Sequence, residues 1–129
     1  MRHRNKKIIL NRPADQRKAL KRNLLTSLFE SGAVQTTDLK AKLLSMEADR
    51  LIILTKKQKE SFNAIRELKR VLFTEPSSRK AFEYAQKTKR SSGFTRVTKI
   101  RIRPGDGAVV TQVELIQDEK GKRQLFAKT

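Results

Sequence analysis

Apolar positions along the chain fall first into helical spacing and then into strand spacing. Leu20, Leu24, Leu25, Leu28 and Phe29 recur at three- and four-residue intervals, which predicts an amphipathic helix from Ala14 with Gly32 as its stop signal. Residues 34–36 fit a very short strand. Thr37 or Asp38 is placed to cap a second helix running to about Lys56, with Leu39, Leu43, Leu44, Ala48, Leu51 and Ile52 as its apolar stripe. A third helix, capped at Ser61, carries Phe62, Ile65, Leu68 and Leu72 on one face and ends near Phe73, before a break at Pro76. A shorter fourth, over residues 78–87, presents Phe82 and Ala85.

After the loop signal Ser91, Ser92, Gly93 the period switches to two. Thr98, Ile100 and Ile102 alternate with Lys99, Arg101 and Arg103, the pattern of a half-buried strand with a basic exposed face. Phe94 and Val97 break that parity and point to a bulge. Pro104, Gly105, Asp106 and Gly107 form a turn, and Val109, Thr111, Val113 and Leu115 alternate again, which predicts an antiparallel pair. The expected fold class is α+β: about four helices packed on a small, mainly antiparallel sheet, preceded by an extended basic arm. The division expected is an arm over residues 1–13, one domain over 14–118 and a polar tail over 119–129. A single domain suits a chain of 129 residues.

Charge changes this picture from a small fold to a small fold with a partner. The formal net charge is +18, from 31 Lys and Arg against 13 Asp and Glu. Residues 1–31 hold Arg2, Arg4, Lys6, Lys7, Arg12, Arg17, Lys18, Lys21 and Arg22 against Asp15 and Glu30. Residues 79–103 hold Arg79, Lys80, Lys87, Lys89, Arg90, Arg96, Lys99, Arg101 and Arg103 against Glu83 alone. The middle is closer to balance. Two separated basic surfaces suit a polyanion whose phosphates approach from several directions, and its binding offsets the self-repulsion of the folded chain.

The remaining chemistry is sparse. Without cysteine there is no disulfide and no thiolate metal site. His3 is the sole histidine, with no ligand or catalytic partner nearby in sequence, and reads as a phosphate or base contact. Gly105, Asp106 and Gly107 do not lead into a helix with a following Lys and Ser or Thr, so they form a turn and not a phosphate-binding loop. Glu60 with Glu67, and Asp118 with Glu119, lie in exposed charged contexts. No enzyme, metal, cofactor or small-molecule substrate is expected. The apolar run over residues 8–10 is too short for a leader, and nothing is long enough to span a membrane, so a cytoplasmic location is expected. Aromatics number six Phe and one Tyr, mostly at core spacing, which favours binding through backbone and shape over base stacking. Phe94, between a Gly loop and Arg96, has two readings: a base-stacking ring or a core residue at a strand start.

Met1, Arg2, His3, Arg4; Leu10, Asn11, Arg12; Arg17, Ala19, Leu20, Arg22, Asn23, Leu24; Thr36, Thr37; Lys40, Ala41, Lys42; Gly93, Phe94, Thr95, Arg96; Gly105, Asp106; and Val113, Glu114, Leu115 follow one another in an order and spacing that resemble the seventeenth-protein family of the bacterial large ribosomal subunit. The resemblance departs at Ser92 and does not extend to residues 57–78 or beyond Asp118. It implies an α+β domain with an N-terminal arm, bound to large-subunit ribosomal RNA beside neighbouring ribosomal proteins on the side where the exit tunnel opens, with no catalysis and no cofactor. Taken with the charge pattern, it gives as candidate RNA-binding residues Arg2, His3, Arg4, Lys6, Lys7, Asn11, Arg12, Arg17, Lys18, Lys21, Arg22, Thr36, Thr37, Lys40, Lys42, Arg90, Phe94, Thr95, Arg96, Lys99, Arg101 and Arg103. The competing reading of the same charge is a nucleoid-associated protein that bends DNA.

Overall fold

A computed structural model describes residues 3, 8–58 and 60–117. The chain forms α1 (Ala14–Ser31), β1 (Ala33–Thr37), α2 (Asp38–Lys57), α3 (Ser61–Val71), α4 (Glu75–Lys87), β2 (Thr95–Ile102) and β3 (Val109–Leu115). Four helices therefore pack on a three-stranded antiparallel sheet in the order β1-β3-β2, the α+β class expected. Arg2, Arg4, Lys6 and Lys7 of the expected arm, and the tail over 119–129, lie outside the described residues. Just before α1 the backbone turns at Leu10 and Asn11 (φ 57° and 51°), and the Arg12 amide donates to the Ile9 carbonyl at 3.4 Å.

Each helix end has a physical cause. Gly32 takes the left-handed conformation (φ 81°) that closes α1, its amide donating to the Leu28 carbonyl at 2.8 Å. Thr37 and Ser61 are not side-chain caps. Thr37 precedes α2 without a capping bond, and Ser61 is already the first helical residue after Glu60. The cap is instead at α4, where the Thr74 hydroxyl accepts from the Ser77 amide. Pro76 does not break the chain, as its position suggests; it lies in the first turn of α4, where its missing N–H would have had no helical partner.

Leu25, Leu28, Phe29, Leu44, Ala48, Leu51, Ile52, Leu68, Leu72, Ala81, Ala85, Phe94 and Val113 share one core. Two residues of the predicted stripes are exposed. Leu39, in the first turn of α2, and Phe62, in the first turn of α3, lie on the solvent side. The Arg66 guanidinium carbon lies 4.8 Å from the centre of the Phe62 ring.

The sheet departs from the alternation predicted for its longest strand. β2 is an edge strand exposed from Arg96 to Ile102 on both faces, not a half-buried one. The register slips between Lys99 and Arg101, so the bulge is at Ile100 and not near Phe94. Directly opposed residues share a face of a sheet. Val34, Val113 and Val97 thus line the helix-packed face with Thr36, Thr111 and Lys99, while Gln35, Gln112 and Thr98, together with Thr37, Val110 and Arg101, line the outer face.

Candidate nucleic-acid interface

The bulge sorts the basic residues of the hairpin onto two sides. Arg96, opposite Glu114, and Arg101, opposite Val110, occupy the outer face; the Arg103 amide donates to the Ala108 carbonyl at 2.8 Å, which continues the same parity. Lys99, expected beside Arg101, stands on the helix-packed side opposite Thr111. The outer face therefore presents Arg96, Arg101 and Arg103 among Gln35, Thr37, Thr98 and Gln112, with no aromatic ring. Two of these cations have local carboxylates. Arg96 Nη1 lies 3.2 Å from Glu114 Oε1, and Arg103 grips Asp106 with two guanidinium nitrogens across the turn. That grip holds the Asp106 carboxyl down to about 2, helped by the Ala108 amide.

On α1 the four expected cations divide in the same way. Lys18 is exposed, while Arg17 is half-buried and makes a local bond, donating to the Arg12 carbonyl at 3.1 Å. Lys21 is drawn to Glu47 of α2 at 2.6 Å, and Arg22 donates to the Val71 carbonyl at 2.9 Å with its guanidinium carbon 4.0 Å above the Phe73 ring. These two clamp α1 onto α2 and the end of α3, and are only partly exposed. They also line an open groove of about 430 Å³ whose walls include Lys18, Glu47 and Arg70.

Phe94 is fully buried, at 0% exposure. Its ring packs in the core, so the stacking reading is overturned: no base can reach it without opening the domain. Its backbone is held from α2, the Asp49 Oδ1 accepting its amide hydrogen at 3.1 Å, and Lys56 Nζ donates to the Thr88 carbonyl at 2.9 Å and to that of Arg90. The Arg90 side chain is exposed beside this clasp. Thr95, the next candidate, shares a hydrogen bond of 2.6 Å with Ser45 and is half-buried.

The other candidates are spread around the body. Thr36 and Thr37 lie on opposite faces of β1. Lys42 is exposed but bonded to Asp38 at 2.8 Å, which lowers the Asp38 carboxyl, and Lys40 is half-buried. His3, Asn11 and Arg12 are exposed. Among the described residues no group of His, Asp and Glu is arranged to hold a metal ion, and no helix is long and apolar enough to cross a membrane.

Three signals for this layout were absent from spacing alone. The clamping roles of Lys21 and Arg22 depend on Glu47 and Val71, far away in sequence. The division of Lys99 from Arg101 depends on one extra residue in β2.

Comparison with known proteins supplies the remaining evidence. Residues 20–116 match the family model described as ribosomal protein L17. A protein of Desulforapulum autotrophicum, named large ribosomal subunit protein bL17, is 40% identical over 126 residues, covering 92% of this chain and 99% of the relative. Its namesake in Desulfosudis oleivorans is 38% identical over the whole of this chain and 64% of a longer protein. One from Clostridium botulinum is 38% identical over 83% of this chain and 95% of its own length.

Proposed function

This chain belongs to the ribosomal protein L17 family, whose members are structural ribosomal proteins and not enzymes, and on that footing we propose that it binds and stabilises folded ribosomal RNA in the large subunit of a bacterial ribosome. The observation that carries this reading is the placement of cations on two outward surfaces. One is the α1 face with exposed Lys18 and half-buried Arg17; the other is the outer sheet face with Arg96, Arg101 and Arg103. Arg2, Arg4, Lys6, Lys7 and Arg12 extend the first surface in sequence. Side chains of this kind displace counterions from crowded phosphates and fix orientation without reading bases. The lack of an exposed ring on the sheet agrees with recognition of backbone and shape. Its place in the subunit, in this reading, is the side where the exit tunnel opens, against neighbouring ribosomal proteins.

The test is binding of the full chain to a folded large-subunit RNA fragment as salt is raised. If roughly six to ten phosphates are contacted, affinity falls by about three to five orders of magnitude from low to moderate salt. A nearly flat dependence overturns the proposal. Displacement by duplex DNA at lower concentration than by RNA favours the nucleoid alternative instead.

A further inference from the structure

The three-stranded sheet ends at β2, which packs against α2. α2 runs under β2, with Asp38 in the field of Lys99, Ser45 bonded to Thr95 and Asp49 bonded to the Phe94 amide. The next surface around the helix, past the side holding Ser45 and Asp49, carries Leu39, Lys42, Met46 and Arg50. Leu39 is 58% exposed and Met46 55%. On the strand above, Val97 is 41% exposed although it points toward the helices.

Among the described residues no strand covers the edge of β2 beside this surface. The Ile116 amide donates to the Phe94 carbonyl at 2.9 Å, in step with the pairs Arg96↔Glu114 and Thr98↔Gln112. In an antiparallel ladder the alternate residues then turn their amides and carbonyls away from the partner strand. In β2 those residues are Thr95, Val97 and Lys99, and no further strand pairs with them among the described residues.

We propose that this edge takes a fourth strand: an extended, acidic segment of a partner protein, with apolar residues alternating among the acidic ones. Its backbone pairs with Thr95, Val97 and Lys99, and its apolar side chains cover Val97, Leu39 and Met46. Its carboxylates fall on the outer face, beside Arg96 at the near end of β2, and leave Arg101 and Arg103 to the RNA. Strand addition of this kind draws affinity from main-chain hydrogen bonds and specificity from alternate side chains. RNA is the poorer occupant, because three aliphatic side chains and a row of amides offer phosphates little. A second copy is poorer too: β2 against β2 brings Arg96, Lys99 and Arg101 of two chains of charge +18 to one seam.

The probe is a synthetic peptide of alternating valine and glutamate, titrated into the full chain with amide hydrogen exchange as the readout. Binding with a Kd below about 1 mM is expected, slowing exchange at Val97 and Lys99. Val97→Pro removes an outward amide and leaves the ladder to β3 intact, since edge strands tolerate proline there; it should weaken binding by at least about tenfold. Met46→Lys, on an exposed position, should weaken it while the fold is unchanged. Any of three results overturns the proposal: no peptide binding, protection of these amides by a single-stranded oligoribonucleotide and not by the peptide, or self-association of the chain that Val97→Pro abolishes. The salt dependence of RNA binding is untouched by any of them.

Discussion

Asp49 on α2 holds Phe94 in place by accepting its amide hydrogen at 3.1 Å, and so fixes the point where the chain enters β2. Lys56, two turns further along the same helix, holds the carbonyls of Thr88 and Arg90. One helix thus pins both ends of the loop that carries Arg90, Ser91 and Ser92. Asp49→Ala leaves a buried amide without its acceptor, and denaturant melts should show a loss of about 1–3 kcal/mol. Asp49→Asn keeps an acceptor oxygen and should cost much less at neutral pH.

The same residue gives a pH signature. Burial raises the Asp49 carboxyl above its ordinary value, with the amides of Phe94 and Gly93 pulling the other way. The folded state then holds this proton more tightly than the unfolded chain, so the contribution of Asp49 to stability declines as pH rises from the ordinary carboxylate region through the raised value. Melts of the native chain and of Asp49→Asn across the acid range should differ by that slope.

Asp106 behaves in the opposite sense. Its carboxyl is held down to about 2 by Arg103, so its stabilising contribution is complete above the ordinary carboxylate value and fades as pH falls toward about 2. Arg103→Gln should raise the Asp106 titration, followed by carbon-13 NMR, toward the ordinary range, the Ala108 amide still holding it partly down. A titration unmoved by this substitution contradicts the clasp.

Thr111, at the centre of β3, is fully buried with a hydroxyl that finds no hydrogen-bond partner among the described residues. An unpaired buried hydroxyl is unfavourable, and valine has nearly the same shape. Thr111→Val should stabilise the domain by about 1 kcal/mol, seen as a raised denaturation midpoint. A clear loss means the hydroxyl has a partner in solution.

Much of this was legible in the chain. The leucine spacing and Gly32 placed α1, and two alternating runs around Pro104 to Gly107 placed the hairpin. What failed has physical causes. Alternation marks a strand but not what covers it, and β2 lies at an edge, so Ile100 and Ile102 stay exposed. One bulged residue reverses parity beyond it, which is why Lys99 and Arg101 part company. Charge counts do not distinguish Lys18, which is exposed, from Lys21 and Arg22, which hold helices together. Phe94 looked available because its neighbours are a loop and a cation, yet Asp49 and the core enclose it.

Removing residues 1–12 takes away five cations: Arg2, Arg4, Lys6, Lys7 and Arg12. The core lies wholly in α1 and beyond, so the truncated body should melt like the full chain. Its RNA affinity should fall, and its dependence on salt should become shallower. Unchanged affinity removes this segment from the interface.

The central claim, that the outer sheet face and the outward side of α1 meet ribosomal RNA, is tested most directly by crosslinking within purified large subunits that contain this chain. The prediction is RNA crosslinks at Arg17, Lys18, Arg101 and Arg103, with none at Lys21 or Arg22. Crosslinks confined to other surfaces, or absence of the chain from the subunits, contradict it.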